Sequence, residues 1–338
     1  MDCSALVIFA AISAQAHAPT SDQPIKVTPD NFVRAETDMY MAKAVEEGAF
    51  GKLVHVRSAP AIDKQSIVRM NRDTLYSQGV FDLGAGPVTI KLPDSGKRFQ
   101  SLQVLSEDQY TIKVVYAPGT FTFDRASVGT RYMYLIARTL ADPGNSQDLT
   151  AAHAAQDGIK VQQQTNGSFH IPKWDTASRD SVRNALKILA AQGGGTEKAF
   201  GNRTEVDPVQ HLIGAAVGWG GNPLYAAKYI LVYPPANDGT TAHTLRVKDV
   251  PVDGFWSISV YNADGLFEKN DLDAYSLNNL TATPEKDGTY NVQFGGCTRD
   301  TPNCLPIVKG WNYTVRLYRA RPAALDGTWS FPEARPVK

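Results

Sequence analysis

An excess of charge of either sign is the first thing this sequence lacks. Lys and Arg number 34, Asp and Glu number 34, and the 338-residue chain is formally neutral at pH 7. Nucleic-acid binders carry a basic stripe, none is present, and no nucleic-acid partner is expected. Past the first twenty residues no apolar run approaches bilayer length, so no membrane span is expected in the mature chain.

Catalytic signatures are also missing. The chain has no Gly-x-Ser-x-Gly elbow, no Walker lysine after its Gly193-Gly194-Gly195 run, and no Gly-x-Gly-x-x-Gly following a strand. There is no His-Glu-x-x-His run, and the histidines stand singly, so neither a metal nor a cofactor is expected. Cysteine is scarce at three residues: Cys3, Cys297 and Cys304.

What is present begins with the apolar stretch Ala5–Ile12, followed by Ala16-His17-Ala18. That small-x-small pattern reads as a signal peptide over 1–18, despite a start without Lys or Arg, and predicts a periplasmic or secreted protein. Removal of Cys3 leaves Cys297 and Cys304 at the ends of a short Pro-containing loop, an even pair that predicts a disulfide. Closing that loop stabilises by roughly 2–3 kcal/mol on the chain-entropy model.

Hydrophobic periodicity divides the remainder. Thr28-Pro29 reads as a helix start, with Phe32, Ala35, Met39, Ala42 and Val45 as the buried stripe and Arg34, Glu36 and Asp38 away from it. Period two then dominates to residue 138, as in Ile112, Val114 and Tyr116 or Met133 and Leu135. Helices are predicted from Ser146 to about 163, over 175–192, and over 207–217 behind Asp207-Pro208. Period two returns around Trp256, Ile258 and Val260, then Tyr290, Val292 and Phe294, then Tyr313, Val315 and Leu317. The expected fold is mainly β (α+β). It has an N-terminal sheet domain with a leading helix (19–145), a helical segment (146–217) and a C-terminal sandwich-like domain (218–338), both sheet regions antiparallel.

This layout carries a resemblance. Arg34-Ala35-Glu36-Thr37-Asp38, Arg69 through Ser77, and Val80-Phe81-Asp82-Leu83 resemble the domain of unknown function 1254. Val250 through Ser257, Tyr275 through Asn279, Lys309 through Tyr313, and Asp326-Gly327-Thr328-Trp329 resemble its companion, the domain of unknown function 1214. Asp207 through Gly214 and Trp219 through Pro223 are similar to the same pairing. The resemblance implies an exported two-domain protein and supplies no reaction.

Two polar-aromatic blocks are the candidate site. In the first, Asn71, Arg72, Asp73, Tyr76 and Ser77 crowd five polar or aromatic side chains into seven positions. Turn formation explains Asn71 and Asp73 equally well. In the second, Trp219 and Asn222 follow a helix bearing His211, which shares a face with Asp207 at i,i+4. Asp73 and His211 are the candidate acid–base groups; Asn71, Arg72, Tyr76, Ser77, Trp219, Asn222, Lys309 and Trp311 are the candidate ligand contacts. Two functions fit: a hydrolase or lyase acting on a small polar molecule between the domains, or a non-catalytic ligand-binding or envelope-associated protein. Oligomerisation is compatible with either.

Overall fold

The computed structural model describes residues 23–65, 68–193, 195 and 197–337. The signal stretch 1–18 and Cys3 lie outside the described residues. The first part runs α1 (Phe32–Glu46), β1 (Val54–His55), β2 (Thr74–Asp82), β3 (Val88–Leu92), β4 (Gln100–Ser106), β5 (Thr111–Tyr116), β6 (Gly119–Phe123), α2 (Arg125–Val128) and β7 (Tyr132–Leu140). A middle stretch holds α3 (Ser146–Asp157), β8 (Lys160–Gln162), α4 (Thr176–Ala191) and α5 (Pro208–Gly218). The last part holds β9 (Ala227–Val232), β10 (His243–Val247), β11 (Trp256–Tyr261), β12 (Ser276–Asn278), β13 (Tyr290–Phe294), β14 (Cys304–Leu305), β15 (Asn312–Tyr318), α6 (Pro322–Leu325) and β16 (Arg335–Pro336). Strand exceeds helix, 28% against 21%, so the protein is mainly β.

The first part is built on an antiparallel sheet ordered β1-β2-β7-β4-β5, with a smaller sheet β6-β3-β8 packed on one face. α1 covers the other face through Met41 and Ala44, against Val80, Tyr134 and Ile136. Every residue of β7 is therefore buried, and its two faces enter different cores. β8 comes from the middle stretch yet pairs with β3, and α4 and α5 pack on α1, so this stretch is woven into the first part.

α1 departs from its sequence reading. It starts at Phe32 with Asn31 at the cap position, and Thr28 is held in the preceding turn by its N–H to Asn31 Oδ1, 2.8 Å. Glu36 and Asp38, expected on an outer face, are buried with Thr37. The sheet covers one side of the helix and α4 and α5 cover another, so polar positions are enclosed and find partners. Arg183 grips Glu36 with Nε and Nη2, at 2.9 and 2.6 Å, and Trp174 Nε1 donates to Asp38 Oδ2 at 2.8 Å. Of the three later helices, α3 ends at Asp157 rather than near 163, because Lys160–Gln162 extends to pair with β3 as β8; Asp175 and Asp207 cap α4 and α5 as expected, accepting backbone N–H bonds.

The last part is a sandwich of two four-stranded sheets, β12-β11-β15-β9 and β14-β13-β10-β16. Trp256, Ile258, Phe294, Trp311, Tyr313, Val315 and Leu317 fill the space between them. Pairing is antiparallel except between β13 and β14. Cys297 and Cys304 are bonded, as expected.

Period-two alternation in β11 and β15 has a second consequence. With Trp256, Ile258, Val315 and Leu317 committed to the core, Ser257, Ser259, Tyr261, Thr314, Arg316 and Tyr318 fall on the opposite face. Residues 69–73 of the first part lie on that face. Tyr261 Oη donates to Met70 O at 2.8 Å and Arg316 Nη2 donates to Arg69 O at 2.9 Å. This polar layer is where the two sheet regions meet.

Candidate functional site

The site grows from two rows of side chains, one from each sheet region. Register aligns Tyr76, Arg138, Ser101 and Tyr116 across β2, β7, β4 and β5. It likewise aligns Asn278, Ser257, Arg316 and Tyr229 across β12, β11, β15 and β9. Residues sharing a row on one face of a sheet stand next to each other, so each row concentrates its hydroxyls and guanidinium.

Two asparagines join the halves. Asn71 Oδ1 accepts from the Asp73 N–H at 2.9 Å, which fixes the amide so that Nδ2 points the other way. Nδ2 then reaches Tyr318 Oη at 3.0 Å, Thr74 Oγ1 at 3.2 Å and Tyr76 Oη at 3.4 Å. Asn222 does the same from the second block: its Nδ2 donates to Tyr229 Oη at 3.0 Å and its Oδ1 accepts from Arg138 Nη1 at 3.2 Å. Arg138 also donates to Gln103 Oε1 and to Gly220 O, both at 2.8 Å. The guanidinium lies over the Tyr76 ring, 5.5 Å from its centre.

The two phenols that share Asn71 are pushed in opposite directions. Burial favours the neutral form of Tyr76, but the charge of Arg138 and hydrogen bonds from Asn71 and Thr74 outweigh it and hold the phenol below its ordinary value. Burial, helped by Tyr229 and Tyr76, raises Tyr318 well above the ordinary value. Tyr318 and Arg138 are buried, Tyr76 keeps intermediate exposure, and Tyr229 forms an exposed rim at 41%.

Asp73 is deeper. It has no exposed surface, and burial raises its carboxyl against the pull of Arg316. Its Oδ1 accepts from Asn278 Nδ2 at 3.1 Å, and the Ser257 hydroxyl also acts on the carboxyl. Arg316 is spent on Ser259 Oγ, Tyr261 Oη and the Arg69 carbonyl.

Residues 50–125 match the model of a protein of unknown function, DUF1254, and residues 235–322 match a second, DUF1214. The chain thus carries both domain matches, DUF1254 ahead of DUF1214, in the two-domain order expected from its sequence. Over 91% of its length it is similar in fold to the VPA0106 protein from Vibrio parahaemolyticus, with TM-score 0.67, 20% identity and 96% of that chain covered. An uncharacterized protein from Burkholderia cenocepacia aligns over 92% of this chain and 87% of its own, with TM-score 0.50 and 14% identity. No curated protein matches. Asn71, Asp73 and Tyr76 thus lie in the DUF1254 match, and Asn278, Arg316 and Tyr318 in the DUF1214 match, so the polar layer is the seam of the pair.

The structure brings together Asn71, Asp73, Tyr76 and Asn222 from the two blocks singled out in the sequence. Arg72 is adjacent but serves the seam differently, donating to Pro60 O and lying over the Tyr275 ring at 5.2 Å. Ser77 points to the opposite face of β2, where its hydroxyl meets His55 Nδ1 at 2.7 Å and accepts from Gln156 at 3.2 Å. That contact pairs a serine with a histidine, but Ser77 is fully buried in mid-strand and offers no access for a substrate.

Trp219 stacks on Tyr40 at 4.3 Å and donates to Thr37 Oγ1 at 3.0 Å, so its ring packs while Gly220 and Asn222 of the same block serve Arg138. Gly220 is left-handed, with φ +75°, and a Cβ on Gly221 would sit 2.4 Å from the Phe200 ring, which explains two consecutive glycines at this corner. His211 makes no pair with Asp207, which caps its helix; its ring nitrogens face the carbonyls of Ala199 (2.9 Å) and Asp108 (3.0 Å), stacked on Tyr110. Trp311 is wholly enclosed in the sandwich core between His243 and Phe294, and Lys309 is exposed on a loop.

Arg138, Arg316 and Tyr318 escaped the sequence reading. A signal existed for the arginines: each is a lone charge inside an otherwise uncharged strand, Tyr132–Leu140 and Asn312–Tyr318. A charge in such a setting needs a partner from elsewhere in the fold.

Proposed function

We propose that this protein is an enzyme that moves protons on a small polar molecule at the seam of its two domains, with Tyr76 as base and Tyr318 as acid. One observation carries the reading: two phenols share a single amide, Asn71, while their surroundings push their protons opposite ways. Neighbouring titratable groups driven apart in this way divide acid and base roles between them. Asp73 and His211, the candidates from the sequence, are sealed or fully engaged, which turns the role toward the tyrosines.

Within the hydrolase-or-lyase class, elimination uses such a pair directly. The phenolate form of Tyr76, which the charge of Arg138 favours, accepts the proton from one carbon, and the freed C–H electron pair becomes the new double bond. The adjacent C–O bond breaks, its electrons leave with oxygen, and that oxygen takes the proton of Tyr318. Water then takes the proton from Tyr76 and returns one to Tyr318, so both groups regain their starting states. An exported location belongs to the same proposal, supported by the Ala16-His17-Ala18 pattern and the disulfide.

Ultraviolet difference titration of the tyrosines tests the reading. Tyr76→Phe should remove the earliest-ionising phenol, and Tyr318→Phe should remove one of the latest. A Tyr76→Phe protein whose titration begins at the same pH as wild type would overturn it. The non-catalytic binding reading draws on the same burial of Asp73 and His211; it requires Tyr76→Phe to retain every property of the wild type toward a bound ligand.

A further inference from the structure

Arg138 is 5% exposed and makes no ion pair among the described residues. A buried guanidinium normally has an acidic partner, because removing its charge from water without one is costly. Here its acceptors are neutral: the Gln103 and Asn222 side-chain amides and the Gly220 carbonyl. A guanidinium offers five N–H donors in a planar fork. With the Tyr76 hydroxyl as a fourth contact, one donor is left over, on a group that lies over the partly exposed Tyr76 ring.

A second unmet group stands in the same cross-strand row. Tyr116 Oη is buried and has no partner. Burial pushes this phenol up to about 12, so it is a hydroxyl donor at any physiological pH. Ser101, between Arg138 and Tyr116, is buried too and completes a polar row with no carboxylate in it.

We infer that the molecule bound at this seam carries a carboxylate, paired with the charge of Arg138 through its spare N–H and with the Tyr116 hydroxyl as a second donor. A carboxylate there supplies the negative charge that no side chain among the described residues gives Arg138, through a charge-assisted hydrogen bond. The inference rests on the proposed acid–base role and deepens it. A carboxylate neutralised by Arg138 also makes the C–H bond beside it more acidic, which is the proton that Tyr76 is placed to take.

Thermal-shift titration of the whole protein tests this with matched probes: L-malate, 3-hydroxybutyrate and D-galacturonate, each against its primary amide. At least one acid should stabilise wild type at a concentration about tenfold or more below its amide, the discrimination expected for a charged hydrogen-bonded contact. Arg138→Met should erase that difference, Arg138→Lys should weaken it, and Tyr116→Phe should reduce it. Equal shifts from acids and amides, or no shift from any acid, overturn the inference. If Arg138→Met does not fold, the wild-type acid–amide comparison and Arg138→Lys still decide. Acid preference that survives in a protein whose tyrosine titration is unaffected by Tyr76→Phe would sink the proton-transfer reading and leave the carboxylate seat standing.

Discussion

Asn278 Nδ2 donates to Asp73 Oδ1 at 3.1 Å, across 205 residues of sequence and across the seam of the two domains. Neither side chain has more than 2% of its surface exposed. The bond shows what the Asn71–Ser77 block does at its centre: one end holds the domains together while the other presents Tyr76.

Asp73 should behave as a structural acid. Its raised carboxyl adds stability that is complete below the unfolded value near 4 and is lost as pH rises through the folded value. Asp73→Asn keeps an acceptor for Asn278 and should flatten that part of the stability–pH curve. Asp73→Ala leaves buried Asn278 Nδ2 without its acceptor and should cost about 2 kcal/mol at neutral pH. Denaturation curves at several pH values measure both, and an Asp73→Ala loss under about 1 kcal/mol would contradict the assignment.

Asp38 provides a second pH response with a defined window. Burial raises its carboxyl to about 6, against a hydrogen bond from Trp174 and with Glu107 adding to the rise. The same sign applies: the contribution is full below about pH 4 and disappears as pH climbs through 6. The shift corresponds to on the order of 3 kcal/mol. Melting temperature should fall across this window in wild type and fall less in Asp38→Asn, which keeps an oxygen for Trp174. Parallel curves for the two proteins would show that Asp38 titrates normally.

His211→Ala should destabilise without touching the seam. It removes the stack on Tyr110 at 4.7 Å and contacts to two carbonyls, worth about 2–4 kcal/mol together. The tyrosine titration should be unchanged. A shifted titration with unaltered stability would return His211 to the site.

The disulfide gives a prediction with an internal control. Cys297→Ala and Cys304→Ala open the same loop, so each should lower stability by roughly 2–3 kcal/mol, and the double variant should lose no more than the worse single one. Additive losses in chemical denaturation would mean that the thiols pack independently of the bond.

Much of the fold was legible because it depends on local rules. Asp207-Pro208 announced α5, period two announced β11 and β15, and the Cys297–Cys304 spacing announced a covalent loop. The enclosed side of α1 was not legible, because Glu36 and Asp38 look like surface residues until α4 and α5 arrive to cover them. Ser77 and Tyr76 illustrate the finer limit. Adjacent in sequence and equally polar, they point to opposite faces of β2, one into a sealed contact with His55 and the other into the seam.

By itself, then, the sequence determined the β-rich class, most helix starts, the disulfide and the two polar blocks, since these follow from periodicity, capping and spacing along a short stretch of chain. Only the tertiary structure decided that Arg138 joins them. Its contacts to Gly220 and Asn222 span 82 and 84 residues, and Asn71 reaches Tyr318 across 247. No local pattern encodes those meetings. They arise because burying the apolar faces of two sheets leaves their polar faces opposed, and the unpaired donors and acceptors there must satisfy one another.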